Sequence, residues 1–244
     1  MEETVIYDIT KEYTNMYKVV VYKKPYVPFT KNDDDRDKAK LTKNDNNDES
    51  LQRSVRRSRT MINDYVHCNE FDLFITFTFD PKKVNRYDLT ACYLKMQGWL
   101  WRTHRKYKDS DFRYVIVPEK HKDGAIHFHA LIGGYDGPLK KTNVIQNNKR
   151  VYNVSSFRFG FTNAQYLDDD KQKAIAYLCK YITKDMVMVS NRRRYWSSRN
   201  LQKPISFRNK IYEMGISKFL NHKTATFESD YNVVYEVSKD LFVN

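Results

Sequence analysis

The stretch Ala125-Ile126-His127-Phe128-His129-Ala130-Leu131-Ile132 constrains the fold more than any other part of the chain. It reads as a β-strand, and strand geometry sends successive side chains to opposite faces. Both imidazoles therefore share one face, and Ile126, Phe128 and Ala130 take the other. Residues 112–117 read as a second strand, with Asp123-Gly124 marking the turn between the two. Loop length then sets the register. A three-residue loop Lys122-Asp123-Gly124, with Gly124 in the left-handed position of a bulge, puts His121 opposite Ala125 and Glu119 opposite His127. A two-residue Asp-Gly turn shifts the register by one and turns Glu119 away.

Around this hairpin the sequence predicts further elements. Phe71 to Phe79 is a buried strand ended by Asp80-Pro81. A basic amphipathic helix is expected from Ser54 to about Asn69, with Met61, Ile62, Tyr65 and Val66 inward. The spacing of Leu89, Tyr93, Met96 and Leu100 gives a second helix from Asp88 to Lys106, and a third is expected over 171–185. One or two strands fall within 5–29 and one more over 151–162. The expected class is α+β, an antiparallel sheet of about five strands with flanking helices. Residues 1–50 read as an N-terminal extension ending in a charged linker, 51–200 as the main domain, and 201–244 as a C-terminal extension packed on it.

The formal net charge is +13, with 43 Lys and Arg against 30 Asp and Glu, and its excess is clustered. Arg53, Arg56, Arg57 and Arg59 crowd one segment; Arg192, Arg193, Arg194 and Arg199 crowd another. Clustered arginine in a chain with 19 tyrosines points to a polyanion, since guanidinium forks hold phosphates and bases stack on rings. A solvated basic surface is the alternative. No apolar run approaches the ~18 residues a membrane span needs, and the acidic start is unlike a secretory leader. Three widely spaced cysteines give neither a disulfide framework nor a zinc site, which fits a reducing host-cell cytoplasm, bacterial by expectation.

One carboxylate and two imidazoles, Glu119, His127 and His129, suit Mn²⁺ or Mg²⁺ acting on a phosphate oxygen. A histidine-triad hydrolase would need a third alternate histidine, and that position is Leu131. On the helix expected over 171–185, Ile175, Leu178, Cys179 and Ile182 cluster on one face. Tyr177, Lys180, Tyr181 and Lys184 lie on the other. A phenol, with its free pKa of ~10, needs a polarised phosphate or a nearby cation to act as a nucleophile. Read singly, each set also fits a structural role, as half-exposed strand histidines and as tyrosines lying beside lysines at a surface.

Taken in order, three segments resemble the HUH endonucleases, specifically the rolling-circle replication initiators of phages and small plasmids. Phe74 to Phe79 resembles their first motif, Glu119 with His127-Phe128-His129 the metal motif, and Tyr177 to Lys184 the nucleophile motif. The doubled tyrosine is similar to that of microvirus and inovirus initiators. The resemblance covers roughly residues 54–200. It implies a metal site on the open sheet face and a tyrosine helix lying across it. It also implies nicking and rejoining of single-stranded origin DNA, at an origin hairpin, through a 5′-phosphotyrosine. Tyr177 or Tyr181 would attack, with Lys180 and Lys184 offsetting phosphate charge. Arg56, Arg57, Arg59, Arg192, Arg193 and Arg194 would contact the DNA backbone. The glycines form no GxxxxGK[ST] loop, so a separate helicase and polymerase are expected. A relaxase or a transposase of the same catalytic class is the nearest alternative. A non-enzymatic, basic nucleic-acid-binding protein is the alternative from another class.

Overall fold

A computed structural model describes residues 5–27, 47–167, 171–183, 186, 193–221 and 225–242. The chain divides into two compact units, one of residues 48–201 and one combining the two ends, 1–47 with 202–244.

The larger unit holds three helices and seven strands. α1 (Asn47–Cys68) precedes β3 (Leu73–Phe79), α2 (Leu89–Lys106), β4 (Arg113–Lys120) and β5 (Ile126–Gly133). Then come β6 (Leu139–Gln146), β7 (Lys149–Val154), β8 (Gly160–Tyr166), α3 (Lys171–Cys179) and β9 (Trp196–Ser197). The strands form one antiparallel sheet in the order β6-β7-β8-β3-β5-β4-β9.

Alternation in β3 sorts the sheet's two faces. Leu73, Ile75, Phe77 and Phe79 are buried while Phe74, Thr76 and Thr78 are half-buried. The first set packs with Met96 and Trp99 of α2, Phe128 of β5 and Phe157. Phe77 has ring centroids 5.1 Å from Trp99 and 5.0 Å from Phe157. The opposite face, with Val115, Val117 and Leu131, is covered by Ile62, Tyr65 and Val66 of α1 and by Ala174, Ile175 and Leu178 of α3. Apolar positions three and four apart on each helix give these contacts. Asp88 starts α2 by accepting hydrogen bonds from the Thr90 and Ala91 amides at 2.8 and 3.2 Å, satisfying two donors that the first turn leaves open.

The sheet departs from the expected five strands. Residues 151–162 were expected as one strand, but Ser155–Phe159 form a turn that separates β7 from β8. β6 is almost wholly exposed and lacks the apolar alternation that marks a half-buried strand. β9 spans only two residues, too few to carry a pattern. α1 begins at Asn47 rather than Ser54; Asp48 and Glu49 in its first turn favour the positive end of the helix dipole.

The second unit is a five-stranded antiparallel sheet in the order β10-β1-β2-β12-β11, built from β1 (Ile6–Glu12), β2 (Met16–Tyr26), β10 (Ile205–Arg208), β11 (Ala225–Glu228) and β12 (Asn232–Ser238). Val20 of β2 sits opposite Ile9 of β1 on one side and Val234 of β12 on the other. The two segments read from sequence as separate extensions thus share one sheet, with Val19, Ile216, Val233 and Val237 in its core. Among the described residues no helix is long and apolar enough to cross a membrane.

Candidate active site

The β4–β5 hairpin takes the register of the three-residue loop. Gly124 has φ of +88°, its amide donates to the His121 carbonyl at 2.8 Å, and the His121 amide donates to the Ala125 carbonyl at 2.8 Å. Only a residue without a Cβ adopts that backbone at no steric cost. Glu119 therefore pairs with His127, and Val117 with His129. The Glu119 carboxylate reaches diagonally, and its Oε2 lies 2.6 Å from His129 Nε2. This hydrogen bond, helped by the nearby charge of His129, His127 and His121, holds the Glu119 carboxyl below its ordinary range against the opposing effect of burial. His127 stacks on His121, with centroids 5.1 Å apart, and burial lowers its pKa.

On the neighbouring strand, Thr76 stands opposite His129 in register, with its Oγ1 3.1 Å from His129 Nδ1. A hydroxyl can donate to a bare Nδ1 or accept from a protonated one, so Thr76 holds the ring in either tautomer and keeps Nε2 aimed at Glu119. Sequence reading missed this role, although strand parity places Phe74, Thr76 and Thr78 on the histidine face. The His129 ring that Thr76 holds is only 4% exposed.

The tyrosine segment differs from the expected long helix. α3 stops at Cys179, and the next amides bond three residues back: Tyr181 to Leu178 at 3.3 Å and Ile182 to Cys179 at 3.1 Å. Two arginines capture the carbonyls beyond. Arg59 donates to the Ile182 carbonyl through Nε and Nη2 at 3.1 and 2.8 Å, and Arg194 Nη1 donates to the Thr183 carbonyl at 2.7 Å. Arg194 is 2% exposed and also donates to Ser54 Oγ at 3.2 Å. Both arginines were expected as DNA contacts; here they anchor the chain that follows the tyrosines. Arg56, Arg57 and Arg193 are exposed, and Arg53, Arg56 and Arg57 line one surface hollow. Lys184 and Arg192 lie outside the described residues.

Because the helix ends early, Tyr181 does not face away from the sheet. Its ring lies flat on His129, with centroids 3.8 Å apart and planes 3° from parallel. Tyr177, 44% exposed, meets Tyr181 edge-on at 5.9 Å and Phe74 at 4.7 Å. Burial, then a hydrogen bond with Tyr177 and the charges of Tyr177 and Glu119, push the Tyr181 phenol well above its ordinary range. A positive charge beside Glu119 would reverse that last effect. Lys180 Nζ stands 5.8 Å from the centre of the Tyr181 ring. Burial raises the neighbouring Cys179 thiol to about 11, which leaves it a poor nucleophile at neutral pH.

The site thus brings Glu119, His129, Tyr181 and Tyr177 into one contact chain, with His127 opposite Glu119. Among the described residues no group of three or more His, Cys, Asp and Glu side chains is disposed to hold a metal ion as the rotamers stand. Chemically the donor set fits one nevertheless. Glu119 Oε2 and His129 Nε2 already converge, and Thr76 steadies the far side of the ring. A divalent ion would take the place of the proton these two share.

Residues 72–186 match the sequence model of the replication-associated protein ORF2 family. The matched segment contains Glu119, His127, His129, Tyr177 and Tyr181, and it supports a replication initiator, with DNA as its partner. Comparison with curated proteins and with solved structures gives no match.

Proposed function

We propose that this chain is a rolling-circle replication initiator that nicks and rejoins single-stranded origin DNA through a 5′-phosphotyrosine. The observation that carries this reading is the stacking of Tyr181 on His129 while His129 bonds Glu119. A candidate nucleophile and a candidate metal ligand are in direct contact.

Glu119, His127 and His129 would hold Mn²⁺ or Mg²⁺, which when bound polarises the scissile phosphate and offsets its developing charge. Thr76 orients His129. Tyr181 or Tyr177 attacks phosphorus: the phenolic O–P bond forms, the P–O3′ bond breaks, and the proton lost by the phenol is balanced by the one gained at the 3′ oxygen. The link conserves the phosphodiester energy for rejoining, and the free 3′-OH primes a separate polymerase. A second tyrosine 5.9 Å away allows a second transfer while the first still holds its strand. A separate helicase would open the duplex.

Strand cleavage tests the reading. A single-stranded origin fragment is expected to be nicked in Mn²⁺, to stay intact in EDTA, and to resist cutting when annealed to its complement. Cleavage unaffected by EDTA would contradict it. Arg56 and Arg57 are proposed backbone contacts. Replacing each with Ala should flatten the slope of log K against log salt by about 0.7 per lost contact on single strands. Fluorescence anisotropy over a salt series measures that slope.

A further inference from the structure

Beside Tyr177, the β6–β7 turn, β8 and α3 enclose a cleft of about 370 Å³, a size typical of small-ligand pockets. Four amide side chains line it: Gln146, Asn147, Asn163 and Gln165. Such density of neutral donors and acceptors is unusual on a chain whose other surface clusters are arginine. The amides are ordered by each other. Asn163 Nδ2 donates to Gln146 Oε1 at 2.7 Å, and Gln165 Nε2 donates to the Gln146 carbonyl at 3.0 Å. These bonds use one donor and one acceptor, so Asn163 Oδ1 and Gln146 Nε2 stand side by side as an acceptor and a donor. Such a pair matches the adjacent donor and acceptor on the edge of a nucleobase.

The walls suit the flat faces of a base. Phe74, Tyr166 and Tyr177 contribute rings to the cleft, and Tyr166 and Tyr177 are 52% and 44% exposed. None of the lining residues is acidic, and Lys149 and Lys173 add positive charge where a phosphate would flank the base. The cleft is joined to the reaction site through Tyr177, which lines the one and touches Tyr181 in the other.

We propose that this cleft receives one unstacked base next to the scissile phosphate and reads its edge through Asn163, Gln146 and Gln165. It thereby fixes which phosphate meets the tyrosines. This rests on the proposed function. A solvated amide row at a sheet edge is the alternative, and it predicts no base preference.

The test is binding of the full chain to a random single-stranded DNA pool in EDTA, where no cleavage occurs, followed by sequencing of the bound fraction. Wild type should enrich one base at one position by about tenfold. Asn163→Ala with Gln165→Ala should flatten that position to under about twofold and leave preferences elsewhere unchanged. The isosteric Asn163→Asp should change which base is preferred there. An oligonucleotide abasic at that position should weaken wild-type binding by about fivefold and leave the double variant unaffected. Loss of preference at every position together, or a preference untouched by the amide variants, would overturn the proposal. A covalent adduct that forms in Mn²⁺ without any base preference would sink the cleft and leave the nuclease standing. Base preference without an adduct would do the reverse.

Discussion

His129→Ala should lower metal-dependent cleavage of single-stranded DNA by about a thousandfold or more, because one ring supports three contacts at once. It bonds Glu119 at 2.6 Å, it is held by Thr76 at 3.1 Å, and it is the surface on which Tyr181 lies at 3.8 Å. Losing it removes a proposed ligand, leaves Glu119 without its bond to His129, and frees the tyrosine from its platform. Single-turnover cleavage and Mn²⁺ titration read the two consequences separately. Thr76→Val keeps the ring and removes only its orientation. That variant should lose about 10- to 100-fold in metal affinity, the usual cost of removing a group that orients a ligand. Equal effects of the two variants would mean that His129 acts through packing alone.

Phe77→Ala should cost about 3–5 kcal/mol, among the largest effects of any single truncation in the 48–201 unit. Phe77 is fully buried in the centre of β3, between the ring of Trp99 on α2 and that of Phe157. Its removal leaves a cavity that two rigid aromatics cannot collapse into. Urea unfolding should show the midpoint fall by about 1–3 M at an unchanged slope. The change lies on the opposite face of the sheet from the histidines, so protein still folded in the absence of urea should bind Mn²⁺ as wild type does.

The β4–β5 hairpin was legible because two local signals agree. Period-2 alternation assigned the faces, and the glycine at 124 selected the loop that sets the register. The site face of β3 was equally available, yet Thr76 was read only as part of a hydrophobic motif. The end of α3 was not legible. Helical periodicity continues through Ile182, and the chain leaves the helix because Arg59 and Arg194, far away in sequence, take the carbonyls that follow. Charge clustering cannot tell an arginine that meets phosphate from one that caps a backbone. The terminal sheet was hidden for a related reason. β2 and β12 pair across more than two hundred residues, with Val20 opposite Val234, and nothing local in either strand names its partner.

The most direct test of the central claim is a covalent one. The full chain is incubated with a random single-stranded DNA pool and Mn²⁺, denatured, and examined by gel and peptide mass spectrometry, with Tyr177→Phe, Tyr181→Phe and the double variant alongside. The account predicts nucleotide attached to a peptide containing Tyr177 or Tyr181, dependent on metal and absent from the double variant. Survival in both single variants would show that each tyrosine can attack, and loss in one would name the sole nucleophile. No adduct, together with no binding of Mn²⁺, would contradict the account and leave a basic protein that holds DNA without cutting it.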